Sequence, residues 1–466
     1  MGGTGIRPLK NNYIRMKKII IPFIIVLLFP LLSQSCKKKE ETNIPLSETA
    51  LINKWIYDNL ELYYLWNNNI TPGIDYKMET DPEKYFYKLL YKKEDKWSYI
   101  TDDYPTLEAE LSGKPETMGF YPAFNLTADN KVVIAVCYVY PNSPASEAGL
   151  KRGDIIISID NTPLDTVNYY AKYSGKSYSV QLGKIVDNVI TPTGESLSMT
   201  ARVIQADPSI HSTILNVEGK KIGYLAYVEF ISGDDSLYLK RMDNIFSEFR
   251  SEGVSDLIVD LRYNPGGTMN AASYLASEIV PSTVAEGNSL MIRFEYNAGL
   301  QYYLVSNNIS NLLRHTFYPV PGNLDMTRVY FLTTGRSASA SELVITGLDP
   351  YMEVIQIGTP TYGKYVGSWL IHDENDKWAM MPIVSKYINY DGFTDFKDGL
   401  IPDYIINDNV FNAVPLGDPG DPMIAKAIEL ATGKSAAPAG EKAAPAEMYR
   451  QLMPKEMEKT LLIPGL

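Results

Sequence analysis

The stretch "TTGRSASASELVITGL", residues 333–348, sets Ser337, Ser339 and Ser341 at alternate positions among alanines, ahead of Glu342. Small residues crowded against an apolar run describe a tight turn feeding a helix. A serine hydroxyl becomes a nucleophile only when a base removes its proton and donors hold the oxyanion that forms. The three histidines, His211, His315 and His372, are scattered, so the base must be sought elsewhere. "IQIGTPTYGKYVGSW" offers Lys364, in a Gly/Thr/Tyr-rich turn after an apolar strand at 353–357. A free lysine titrates near 10.4, and burial lowers that by about three units, roughly 4 kcal/mol against the charged form. Tyr362, Tyr365 and Val366 supply apolar surroundings for such burial. "DLRYNPGG", residues 260–267, turns from a buried strand through Pro-Gly-Gly into a helix. Backbone N–H groups exposed at a helix start suit a developing negative charge.

Other chemistries fit less well. Residues 358–364 satisfy the G-x-x-x-x-G-K part of a phosphate loop, but Tyr365 stands where a magnesium-binding hydroxyl is needed. Cys36 and Cys137 have no metal-ligand spacing, so neither a metal nor any cofactor is expected. Cys137, in the strand-like run "KVVIAVCYVY", reads as a buried inert thiol. A net charge of −12 argues against nucleic acid as a partner. The 34 tyrosines suit half-buried strands, with a carbohydrate or peptide groove as the rival reading.

These residues must be carried by several modules, since 466 residues exceed one ordinary domain. Lys17 and Lys18 precede an apolar run at 19–32, too short for a span of about 20 residues, which is an export-signal pattern. Residues 1–15 precede an ordinary signal start. The run ends in Ser33-Gln34-Ser35-Cys36, which resembles a bacterial lipobox. That resemblance implies a lipidated Cys36, a membrane attached through the lipid, and a tether at 37–45. Residues 46–105 carry helical spacing rich in Trp and Tyr, with Asp81-Pro82 as a helix start, and form an expected helical domain.

Residues 106–205 change to strands and turns. "YPNSPASEAGLKRGDIIISIDNTPL" resembles a PDZ domain of the protease-associated type. A PDZ domain adds an extended peptide to a sheet edge and catches its carboxylate on backbone N–H groups of a glycine-containing loop. Gly119 and Phe120, in Met118-Gly119-Phe120-Tyr121, stand where that loop would lie, and 165–200 reads as an insertion. Strands and helices alternate over 206–433, an α/β texture. Residues 434–466 read as an Ala/Pro-rich linker and tail.

Together the S-A-S-A-S-E run, the Pro-Gly-Gly turn, the lysine loop and the PDZ pattern resemble the carboxyl-terminal processing (tail-specific) protease family. The resemblance implies an α+β multidomain chain: an N-terminal helical domain, a PDZ-like domain and a crotonase-like α/β protease core. It also implies a Ser–Lys endopeptidase of the cell envelope acting on polypeptides, through unfolded segments or C-termini. The middle serine, Ser339, would attack, and Lys364, at the family's spacing of 25 residues, would be the base. The oxyanion donors would be the N–H of Ala340 and of Gly266 or Gly267, a choice the sequence leaves open. Many members orient the lysine with a glutamine four residues on. Here Ser368 holds that position and is expected to accept from the amine. Glu342 is expected to brace the nucleophile turn or cap the helix. The alternative is a peptide-binding lipoprotein that has lost turnover. Outer-membrane attachment is the expected location.

Overall fold

The computed structural model describes residues 46–434 and 449–452. Helix α1 (Glu48–Tyr63) starts where Ser47 Oγ accepts from the Ala50 N–H at 3.1 Å. Helix α2 (Pro82–Leu89) starts at Asp81, with proline in its first turn, as the sequence predicts. Helices this short cannot bury an apolar face against themselves. Ile56, Leu60, Tyr85, Phe86 and Leu89 instead join one hydrophobic cluster with Leu225, Val259 and Leu343 of the later α/β region. The expected N-terminal helical segment is therefore present, but its core is shared.

The PDZ-like region is built on strands β1 (Phe120–Thr127) and β2 (Lys131–Val139), paired antiparallel. Ser143 caps a short helix at Pro144–Ala148, which closes on Gly149 at φ 92°. Strands Ile155–Ile159 and Thr162–Asp165 follow, then helix α3 (Tyr169–Tyr173). The stretch 165–200 is no insertion. Strand Ser177–Val186 pairs with Ile155–Ile159 and continues the same sheet through Val189–Thr200. Tyr178, Val180 and Leu182, spaced by two, point into the core formed by Val132, Ile134 and Val136. Asp187 and Asn188, at φ 50° and 63°, make the two-residue turn that lets this hairpin close.

The α/β region holds strands β3 (Lys220–Tyr227), β4 (Asp256–Asp260), β5 (Arg328–Thr333) and β6 (Glu353–Gly358), paired parallel in that order. Helix α4 (Met269–Ile279) follows β4 and helix α5 (Ala340–Leu348) follows β5. Both start beyond the carboxyl ends of their strands, where open α/β sheets place their sites. A second sheet packs alongside, with strand β7 (Val366–Ser368) antiparallel to β8 (Ile383–Asn389). Helix α6 (Pro422–Thr432) covers the other face through Met423, Ile424 and Ile428. Strand β9 (Tyr449–Leu452) returns to pair with β1.

A buried ionic network fastens the PDZ-like region to the α/β region. Arg262, 1% exposed, donates to Asp260, to Asp408 at 3.1 Å and to Asp421 at 2.7 Å. From the other side Arg152 donates to the Cys137 carbonyl at 2.7 Å and to the Tyr263 hydroxyl at 2.6 Å, and approaches Asp408 at 3.4 Å. Burial pushes the Cys137 thiol up to about 11, in keeping with an inert packing role. Removing one member of such a network leaves its partners charged and dry. Arg262→Ala is expected to lower the unfolding free energy by about 3–5 kcal/mol in urea titrations. A loss below about 1 kcal/mol would show that the carboxylates find other partners.

Candidate active site

The turn between β5 and α5 sorts its three serines by their hydrogen bonds. Ser337 Oγ donates to the Leu261 carbonyl at 2.7 Å and accepts from the Thr334 N–H at 3.0 Å. Ser341 Oγ donates to the Asn264 carbonyl at 3.0 Å. Both hydroxyls are committed to holding the turn against residues 261–264. Ser339 instead lines a cavity of about 30 Å³, with Gly267, Ala340, Leu343, Phe294 and Tyr387 among its neighbours. Its backbone sits at φ 54°, ψ −110°, a region that costs a non-glycine residue of order 1–3 kcal/mol. Residues held this way persist only where the surroundings over-determine them.

Asn264 provides much of that determination. Its Oδ1 accepts from the Gly266 N–H at 2.8 Å, its Nδ2 donates to the Tyr227 carbonyl, and its own carbonyl accepts from Ala338 N–H and Ser341 Oγ. The Pro-Gly-Gly turn is thereby pinned to the serine turn. Gly266, at φ 113°, lies so close that a Cβ would meet Ser339 Cβ at 2.9 Å and Ala340 N at 3.1 Å. Gly267, at φ 141°, would drive a Cβ into the Phe230 carbonyl at 2.2 Å. The two glycines differ in one respect that matters. The Gly266 N–H is spent on Asn264, whereas Gly267 and Ala340 both line the cavity.

Lys364 is fully buried, between the half-buried Tyr362 and the buried Tyr365 and Val366. Burial lowers its amine to about 7, against the pull of the Asp95 and Glu342 carboxylates. Asp95 comes from the N-terminal segment and accepts from Tyr64 Oη, Ser98 Oγ and the Trp97 N–H. Glu342 braces the turn and does more. Its Oε2 accepts from the Ser339 N–H at 2.8 Å and from the Lys364 N–H at 2.9 Å. Its Oε1 accepts from the Gly363 N–H at 2.6 Å and from Thr361 Oγ1 at 2.5 Å. Burial raises this carboxyl to about 7 despite those four donors. Tyr387, from β8, adds a second tie by donating to the Lys364 carbonyl at 2.9 Å.

Ser368 departs from expectation. It is buried and lines the cavity, but its Oγ makes no hydrogen bond, so it does not hold the lysine amine. It sits at the end of β7, in the wall of the cavity that Ser339 also lines. Gly119 also departs in detail. Its N–H is engaged by Thr117 Oγ1 at 3.1 Å, and its φ of 85° lets Ser143 approach where a Cβ would sit, so it shapes the loop. Phe120 begins β1, and its ring meets Tyr173 of α3 at 5.7 Å. Cys36 lies outside the described residues. Sequence reasoning did not single out Asn264, Thr361, Tyr387 or Asp95. Asn264 and Thr361 stood inside the quoted turn and lysine-loop motifs, while Tyr387 and Asp95 carry no local signal.

Residues 221–406 match the model for peptidase family S41, and residues 51–99 match the peptidase S41 N-terminal domain. The chain belongs to peptidase family S41. Residues 136–173 match a PDZ domain. The chain is 23% identical over 336 residues to a carboxyl-terminal-processing protease of Synechocystis sp., covering 71% of this chain and 72% of that one. It is 24% identical over 341 residues to another from Picosynechococcus sp., covering 71% and 74%. A solved structure from Bacteroides fragilis, described as an S41 protease, superposes with a TM-score of 0.70 at 26% identity, covering 81% of this chain and 97% of that one. The S41 chain is thus a serine-type protease of the carboxyl-terminal processing group.

The buried lysine makes a prediction about stability. Unfolded, the amine holds its proton up to about 10.5, but folded only up to about 7. Between these values the unfolded chain binds the extra proton, so stability rises with pH across the window and is lost as pH falls toward 7. Lys364→Met removes this dependence. The variant should be the more stable at pH 7, by up to about 5 kcal/mol, with the gap closing toward pH 10. Urea titrations of both proteins at the two pH values measure this, and parallel pH dependences would contradict a depressed amine.

Proposed function

We propose that the chain is an endopeptidase that cleaves polypeptides through an acyl-enzyme on Ser339, with Lys364 as general base. The observation that carries this reading is the Glu342 carboxylate, one oxygen of which receives the N–H of both Ser339 and Lys364. A neutral amine near 7 can take the Ser339 proton as Oγ attacks the scissile carbonyl carbon. The oxyanion is received by the N–H groups of Ala340 and Gly267, since that of Gly266 is occupied. The intermediate collapses by breaking the C–N bond, and Lys364 returns the proton to the leaving amine. Water then enters under the same base and releases the new carboxylate and free Ser339. The small cavity walled by Leu343, Phe294 and Tyr387 fits a small apolar side chain before the cut bond. The unpartnered Ser368 hydroxyl is placed to meet substrate or the entering water.

In this reading residues 46–105 complete the lysine site, 106–205 recruit or gate polypeptide, and 206–433 cut it. Export, lipidation at Cys36 and attachment to the outer membrane belong to the same proposal and rest on the signal pattern alone. Incubation with unfolded casein is the test. Ser339→Ala and Lys364→Met should each lower cleavage by at least about a thousandfold. The kcat/KM of the unaltered protein should fall as pH drops through about 7, where the amine gains its proton. Cleavage unchanged by either substitution would refute the dyad. Absence of cleavage by the unaltered protein, with peptide binding retained, would favour the non-catalytic scaffold.

A further inference from the structure

The free edge of β1 is the surface on which a PDZ domain would add a peptide, and here it is already taken. Strand β9 pairs antiparallel with β1 in the register Tyr449 to Thr127, Arg450 to Leu126, Gln451 to Asn125 and Leu452 to Phe124. Increasing residue number in β9 runs toward the Met118–Gly119 loop, the polarity of a peptide whose carboxyl end points at that loop. Leu452 packs on the PDZ core with Phe120, Phe124, Tyr169 and Tyr173, the aromatic floor between β1 and α3. On the opposite face of the strand, Gln451 meets the catalytic region. With its amide oxygen turned to satisfy both partners, Gln451 accepts from Arg336 Nη2 at 2.5 Å and Nε at 3.3 Å. Arg336 stands three residues before Ser339, is 7% exposed, and donates to the Pro122 carbonyl of β1 at 3.2 Å.

We infer that residues 449–452 are a resident pseudo-ligand of the PDZ-like edge, which a substrate segment must displace before it can dock. This rests on the reading that the PDZ-like region binds peptide. The contact is built to be lost. Among the described residues four pair, Arg450 and Gln451 are exposed, and Leu452 is half-buried. Such a strand competes with substrate because both need the same N–H and C=O groups of β1. A site closed for most of the time binds with an affinity reduced by its open fraction. The occupant is the chain's own tail, for which the 14 residues 435–448 give a maximum reach of roughly 50 Å. Arg336 gives the exchange a route to chemistry, since it touches both the edge strand and the turn that carries Ser339.

The test uses the full chain carrying Ser339→Ala, so that binding is read without cleavage and does not depend on the dyad. The probe is a fluorescein-labelled peptide copying residues 447–456, EMYRQLMPKE, followed by anisotropy. Leu452→Asp in the protein weakens the resident strand and should tighten probe binding about tenfold. A probe carrying the same change should not bind. Leu126→Cys with Arg450→Cys places two thiols at directly opposed positions, within disulfide reach. The oxidised protein should be monomeric and refuse the probe, and reduction should restore binding. Equal probe affinity for the parent, the Leu452→Asp protein and the locked protein would overturn the inference. Failure of the disulfide to form, or its formation only between two chains, would also overturn it.

Discussion

One buried carboxylate holds the candidate site together. Glu342 has no access to water and accepts four hydrogen bonds, one from the serine turn and three from the lysine loop. Neither segment has regular structure of its own at that point. Without the carboxylate, the Ser339 N–H and the Gly363 and Lys364 N–H groups would be buried donors with no acceptor, each costing about 1–3 kcal/mol. The strained backbone at Ser339 is tolerable because this bond, Asn264 and the flanking serines leave it no alternative. The same dryness that strengthens those bonds raises the Glu342 carboxyl and lowers the Lys364 amine toward a common value near 7. A single environment thus both positions the two residues and adjusts their protons.

The dryness is assembled from distant parts of the chain. Trp97 packs edge-on against Tyr365 at 5.7 Å, and the Asp95 charge beside it pulls the lysine amine back toward its protonated form against the effect of burial. The stretch that follows the N-terminal helices is therefore part of the surroundings of Lys364. On the far side, the Arg262 network ties the same scaffold to the PDZ-like region through Arg152 and Asp408. Arg336 makes a second bridge, with its guanidinium 5.1 Å from the Tyr121 ring centroid and its backbone in the nucleophile turn. A strand added to β1 and the turn carrying Ser339 are consequently neighbours through one side chain.

Local chemistry explains which features were legible from the residues. The cap at Asp81-Pro82, the helix ending at Gly149 and the turn through Gly266 and Gly267 follow from what those residue types permit near their own backbone. The serine run and Lys364 stood out for the same reason. Ser368 misled because counting four residues from the lysine ignores which way a strand turns each side chain. The stretch 165–200 misled because a long hairpin with an exposed tip looks like an insertion until its inner face is matched to the core. Nothing in the spacing of Thr361, Tyr387 or Asp95 marks them, since each acts only after strands far apart in sequence are brought side by side.

The sequence by itself determined the family, the kinds of module, and a short set of candidate groups, because motif residues answer to local backbone demands. Tertiary structure decided which of three serines lines the cavity and which glycine N–H is already taken. It also decided that Glu342 joins two loops and that the tail lies on the PDZ-like edge. These are matters of burial and of which donor meets which acceptor across long separations. Such pairings have no one-dimensional signature, since desolvation depends on everything that packs around a group and not on its neighbours along the chain.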